Sequence, residues 1–153
     1  MKDAISIQRV EELHPKVRED FKNFITYAEN ALNITIRVTQ GLRTFKEQQD
    51  LYDMGRTKPG KIVTKAKAGS SYHQYGLAVD LVELIHDGKD VDWNYDMGKL
   101  VPYAAKYGID WGGNWIGFKD YPHFEKHFGI NWRDLLVKHN AKDFIEGTSY
   151  VKI

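Results

Sequence analysis

Asn33 separates two hydrophobic periods that no single element can satisfy. Before it, from Pro15 to Leu32, the apolar residues Val17, Phe21, Phe24, Ile25, Ala28 and Leu32 fall three and four apart, which gathers them on one helical face. After it, Ile34-Thr35-Ile36-Arg37-Val38-Thr39 alternates β-branched with other residues as far as Gly41, the pattern of a half-buried strand. An amphipathic helix running straight into a strand points to an α+β fold, with helices packed against a small, mainly antiparallel sheet.

The rest of the chain extends this pattern. Thr44 and Glu47 have capping-box spacing, and Phe45, Gln48, Leu51 and Tyr52 continue at helical intervals to Gly55. Arg56 to Val79 contains no acidic residue and scatters Arg56, Lys58, Lys61, Lys65 and Lys67 among Gly, Pro, Thr and Ser, so it reads as a long basic loop. Leu77 to Val82 alternates like a strand that carries Asp80, with a turn signal at Asp87-Gly88. A helix is expected from Asp96 to Tyr107 with Leu100, Val101, Ala104 and Ala105 inward, ending at Gly108. Phe118 to Glu125 reads as extended, since Pro122 steers Tyr121 out of the helical region. Asn131 and Asp134 can cap a short helix with Trp132, Leu135 and Leu136, after which the tail is weakly patterned.

At 153 residues the chain suits one domain, 1–153, with 129–153 completing a core built from 35–128. Twenty-two basic against twenty-one acidic residues leave no global field for nucleic acid or an anionic membrane. No apolar run approaches the roughly 20 residues that span a bilayer. The absence of cysteine excludes disulfides and thiolate-held metals. Any metal must therefore sit on imidazole and carboxylate.

Three residues offer such a set. Ser71-Tyr72-His73-Gln74-Tyr75-Gly76-Leu77-Ala78-Val79-Asp80 brings His73 and Asp80 together among small residues, and His123 in Asp120-Tyr121-Pro122-His123-Phe124-Glu125 supplies a second imidazole. Two histidines and one carboxylate suit a single zinc ion that keeps a position open for water, as metal-assisted hydrolysis requires. Asp120, three residues before His123, is placed to act as general base and then general acid. His123 and His127 also have the spacing of a histidine-pair zinc helix, but Pro122 and the missing glutamate after His123 argue against that design. His14, His86 and His139 lack comparable context and read as structural or exposed. For the loop lysines Lys61, Lys65 and Lys67 the expectation is a solvated surface, and Trp111 and Trp115 read as groove-lining or packing residues.

These motifs resemble the D-Ala-D-Ala carboxypeptidase and dipeptidase family of zinc peptidases, and especially its L-alanyl-D-glutamate endopeptidase branch of phage and bacteria. Ser71 to Asp80 matches its Ser-x-His-x-x-Gly-x-Ala-x-Asp motif and Asp120 to Phe124 its Asp-x-Pro-His-Phe motif. Gly41-Leu42-Arg43-Thr44, Glu47-Gln48-Gln49, Leu51-Tyr52, Gly55-Arg56 and Trp111-Gly112-Gly113 extend the match over most of 35–128. The resemblance implies a hedgehog/DD-peptidase-like fold with zinc at the sheet on His73, Asp80 and His123, and Asp120 as base. It also implies Arg43 as a substrate or transition-state contact, and Ser71 as a substrate-binding residue. A guanidinium near the scissile carbonyl suits a developing oxyanion.

The expected activity is hydrolysis of the L-Ala–D-Glu bond of peptidoglycan stems, in the setting of a phage endolysin acting as a monomer. Asp120 resembles the endopeptidases, the dipeptidase branch typically carrying glutamate as base; the rivals are a D-Ala-D-Ala carboxypeptidase and a non-catalytic wall-binding module stabilised by zinc. Met1 to Leu13 lacks the basic start and apolar run of a secretory signal. The expectation is synthesis in the bacterial cytoplasm and release to the wall through a separate, holin-type pore.

Overall fold

A computed structural model describes residues 1–153 and begins with a helix that no period announces, α1 (Ala4–Glu11). Asp3 caps it by accepting from the Ser6 amide, and only Ser6 and Val10 are buried, too few to write an apolar stripe. α2 (Arg18–Leu32) follows, shorter than the expected Pro15–Leu32 because residues 15–17 form a turn. Asn33 closes it in the left-handed conformation (φ 53°), and β1 (Thr35–Gln40) starts one residue later than expected.

The outer edge of β1 is covered by side chains instead of another strand. The Ile36 amide donates to Glu29 of α2 at 3.0 Å and the Val38 amide to Ser6 Oγ of α1 at 2.7 Å, while Arg9 donates to the Val38 and Thr39 carbonyls. This satisfies backbone groups that would otherwise template aggregation. It also explains why Ser6 and Glu29 are buried despite being polar.

α3 (Phe45–Asp53) starts at Thr44, whose hydroxyl accepts from the Glu47 amide. The basic stretch that follows is a loop as far as a 3₁₀ turn, Tyr72–Tyr75, which leads into β2 (Ala78–Ile85). A hairpin through His86–Gly88 returns as β3 (Asp90–Asp92). The helix expected over Asp96–Tyr107 is instead a 3₁₀ turn, Met97–Leu100, and a short α4 (Val101–Ala105). Pro102 at the start of α4 has no amide to continue the preceding turn into one ladder, and Ala105 faces solvent, not the core.

β4 (Asp110–Trp111) and β5 (His123–Glu125) complete the sheet. The order is β1-β2-β5-β4, with β3 also on β2, and every pairing is antiparallel. The extended segment expected from Phe118 is confined to β5, because Asp120 folds back to donate its amide to the Gly112 carbonyl. α5 (Trp132–Asn140) is capped by Asn131 as expected. The tail bridges Phe144 to Val151 and buries Val151. His14, itself buried, donates from Nε2 to the Val151 carbonyl at 2.7 Å and accepts the Lys16 amide at Nδ1.

One face of the sheet carries the core. Phe21, Phe24, Ile25 and Ala28 of α2 pack against Ile36, Val38, Val79, Leu81 and Phe124, with the Phe24 and Phe124 rings 5.3 Å apart. Strand side chains alternate between faces. Val79, Leu81 and Phe124 facing α2 therefore turn Asp80, His123 and Glu125 toward the opposite face, where the cleft lies.

Candidate metal centre and cleft

Each candidate ligand owes its position to a different local rule. Asp80 and His123 are direct register partners across the β2–β5 ladder. His73 sits in the 3₁₀ turn, which Ser71 caps through its hydroxyl while Gln74 returns a bond to the Ser71 amide. That turn ends at Gly76 (φ 70°), where a Cβ would strike the His14 backbone, so no other residue fits.

The donor atoms converge. His73 Nε2 is 3.4 Å and His123 Nδ1 3.3 Å from Asp80 Oδ1, and the three ligand atoms all lie within 4.8 Å of one another. Zinc bonds of about 2.0–2.2 Å in a tetrahedral arrangement separate neighbouring donors by about 3.3–3.6 Å, and both histidines stand at that spacing from Asp80. His73 Nδ1 meets the Gly41 carbonyl at 2.8 Å, which places its proton there and leaves Nε2 free to face the centre.

The electrostatics point the same way. Burial opposes ionisation of Asp80, but hydrogen bonds and charge from His123 and His73 outweigh it and hold its carboxyl far below the usual range. Burial likewise works against protonation of His123, yet its bonds to Asp80 and Glu125 raise it to about 9. A cation between these donors takes the place of the proton on Nδ1.

Asp120 stands at the mouth of this group, with Oδ2 4.0 Å from His123 Nδ1. Burial, and then the neighbouring Asp80 carboxylate, raise its pKa. Gly112 makes this position available: a Cβ there would fall on the Asp120 carbonyl oxygen and crowd the His123 side chain. Arg43 enters from the loop after β1, with Nη2 3.8 Å from Asp80 Oδ2 and Nη1 donating to Gln48 at 2.9 Å. Ser71 lines the cleft as well, although its hydroxyl also serves as the cap before His73.

The cleft has a volume of about 770 Å³. Ile62, Val63, Thr64 and Lys65 of the basic loop form part of its wall, and Trp115 and Phe118 another part. Lys65 is exposed, as expected of a solvated loop lysine, and borders the cleft 6.0 Å from the Phe118 ring centre. Trp111 is not in the cleft; its indole donates to the Tyr121 carbonyl and braces the Asp120 loop.

Sequence reasoning passed over two buried residues here. Gln48 accepts from both Arg43 and Gln74 and donates to the Ala66 carbonyl, tying α3, the basic loop and the 3₁₀ turn together. Glu125 accepts from His123 Nε2 at 2.8 Å. Gln48 lies on the apolar face expected of α3 and Glu125 two residues after a ligand on one strand face, and those were the available signals.

A family model described as D-alanyl-D-alanine carboxypeptidase matches residues 64–126, the segment that holds His73, Asp80, Asp120 and His123. The peptidoglycan L-alanyl-D-glutamate endopeptidase CwlK of Bacillus subtilis is 45% identical over 123 residues, covering 74% of this chain and 73% of that protein. The chain belongs to the D-alanyl-D-alanine carboxypeptidase family of peptidases. A second member, the L-alanyl-D-glutamate peptidase of Listeria phage A118, is 28% identical over 127 residues, and the match spans 41% of its length. Among solved structures, the Serratia marcescens L-Ala D-Glu endopeptidase ChiX aligns with TM-score 0.60 and 25% identity over 86% of this chain and 90% of that one. The vancomycin-resistance D,D-pentapeptidase VanY, solved in complex with Zn(II), shares the fold at TM-score 0.55 and 20% identity over 74% of this chain and 72% of that one. The α+β architecture of the family is therefore the one described above.

Proposed function

We propose that this peptidase hydrolyses the L-Ala–D-Glu bond of peptidoglycan stem peptides, using one zinc ion held by His73, Asp80 and His123. The observation that carries the chemistry is the convergence of three donors at zinc spacing with Asp120 beside them at the cleft mouth. The choice of bond rests on the named activity of the Bacillus and phage relatives.

Zinc at this site supplies Lewis-acid polarisation of a carbonyl and acidification of water. The chain does the rest. Asp120 accepts the proton of the attacking water, helped by a pKa raised through burial and Asp80, and passes it to the departing amine. The Arg43 guanidinium, fixed by Gln48, stabilises negative charge developing on the scissile carbonyl oxygen. Ser71 contributes to substrate binding from the cleft wall, and Lys65 offers a cation for the stem carboxylates.

Residues 1–153 act as one peptidase unit in this reading, since buried Val151 and its bond from His14 join the tail to the core. A monomer suffices for this chemistry, since the three donors, Asp120 and Arg43 all come from one chain. The phage source of one relative supports an endolysin role on the cell wall. No helix is long and apolar enough to cross a membrane.

Mass spectrometry of purified peptidoglycan digested with and without a zinc chelator tests the reading. New N-terminal D-Glu that disappears with chelator is the expected product. Chelator-sensitive release of D-Ala would reassign the enzyme as a carboxypeptidase, and absence of any product would leave a wall-binding role.

A further inference from the structure

Glu125 is a carboxylate on the cleft floor, 5% exposed, with no part in the chemistry above. β5 puts it on the same face as His123. Its Oε1 accepts from His123 Nε2 at 2.8 Å, while Nδ1 on the other side of that ring faces Asp80 at 3.3 Å. Glu125 therefore approaches the imidazole from the side away from the metal donors and is not a fourth ligand.

The second oxygen of Glu125 leads outward. Oε2 lies 3.4 Å from His127 Nε2. His127 Nδ1 accepts the Gly129 amide at 3.1 Å, so its proton is on Nε2, where it can be given to Glu125. Phe128 (φ 55°) and Gly129 (φ 74°) make the turn that brings that amide back. The His127 ring stacks on Tyr72 (centres 4.8 Å apart, planes at 17°), and Tyr72 is anchored by its hydroxyl to the Ile130 carbonyl. The Gly129 amide thus sets the tautomer of His127, which turns its N–H toward Glu125, and Glu125 in turn accepts from His123.

We propose that Glu125 and His127 are positioning residues of the metal centre. Glu125 holds the proton of His123 on Nε2, turns Nδ1 toward the ion and makes the imidazole a stronger donor; His127 keeps Glu125 in place. This inference rests on the proposed zinc site. A carboxylate behind a metal-bound histidine orients the ring and raises its basicity, and losing such a partner typically costs about 10–100-fold in metal affinity or activity. The His123/His127 spacing in the sequence belongs to this arrangement, with one histidine at the centre and the other behind its carboxylate.

Zinc affinity, measured by competition with a chromogenic chelator in the full chain, tests the proposal. Glu125→Ala is expected to weaken zinc binding by about 10–100-fold. Glu125→Gln, which keeps an acceptor oxygen, should recover part of the loss, and His127→Phe, which keeps the stack on Tyr72, should weaken binding by a smaller factor. In the zinc-loaded protein the Nε2 proton resonance of His123 should move upfield in Glu125→Gln, a change that a purely structural role would not produce. Parental affinity in Glu125→Ala would overturn the proposal, parental affinity in His127→Phe would remove His127 from it, and His127→Phe carries the test if Glu125→Ala does not fold. His123→Ala in the same assay separates the two readings. Unchanged zinc there removes the metal site itself, whereas zinc lost in His123→Ala but retained in Glu125→Ala removes only the positioning role.

Discussion

Asp80 and His123 face each other across the β2–β5 ladder, and their side chains meet with Oδ1 and Nδ1 3.3 Å apart. A slip of one residue in that ladder would send one of them into the core face, so the register of the sheet is also the register of the metal donors. Asp80→Asn should keep the strand pairing and lose the charge. Zinc affinity is expected to fall by more than the roughly 10–100-fold typical of an outer partner, with hydrolysis falling alongside, as metal analysis after gel filtration and peptidoglycan turnover would record.

Asp120 shapes the centre through its backbone, which bonds Gly112 and His123, while its carboxylate makes no hydrogen bond. Asp120→Asn should retain zinc and thermal stability while kcat drops by about 10²–10⁴-fold, the usual contribution of a positioned acid–base group. Full activity in this variant, assayed with zinc content confirmed, would remove Asp120 from the proton path.

Gln48 is fully buried and its carbonyl oxygen serves two donors, Arg43 Nη1 and Gln74 Nε2. Gln48→Leu fits the space but leaves both donors without an acceptor, an expected loss of about 1–3 kcal/mol in urea unfolding. Because Arg43 is freed in the same step, kcat should fall more than KM changes. A stable variant with parental kcat would show that Arg43 is held by other means.

Stability should also depend on pH through His14. Burial first, then the positive charges of Lys16 and Arg18, lower its pKa below 6.5, against the opposing bond to Val151. Its Nδ1 already accepts the Lys16 amide, so protonation breaks a bond the fold uses. The unfolded chain binds this proton more readily, so the His14 contribution is complete above about pH 6.5 and declines as pH falls from there to the folded pKa, by at most about 1.4 kcal/mol per pH unit. Urea midpoints measured from pH 8 to 5 should show this decline, and His14→Gln should flatten it.

Much of this was legible in the chain. β1 and α2 were written in their periods, α3 and α5 in their capping residues, and Ser71–Asp80 with Asp120–Phe124 marked the residues that converge in the cleft. α1 left no trace because it covers a strand edge with polar groups, Ser6 and Arg9, whose partners are backbone atoms thirty or so positions away. The broken helix at 97–105 depends on Pro102 within an otherwise helical period. Gln48 on the apolar face of α3 and Glu125 on the strand face of His123 are marked by position alone, and their partners appear only in the tertiary structure. The burial of Val151 is equally invisible locally, since His14 reaches it from the other end of the chain.

The order β1-β2-β5-β4 places both ligand-bearing strands in the interior of the sheet. Asp80 has Gln40 of β1 on one side and His123 on the other, and β5 is in turn held by β4. The spacing of Asp80 and His123 is thus set by the ladders on either side of them and not by the ion. An enzyme stripped of its ion through the open cleft should therefore keep its donors in place and recover activity on adding zinc, with no refolding step.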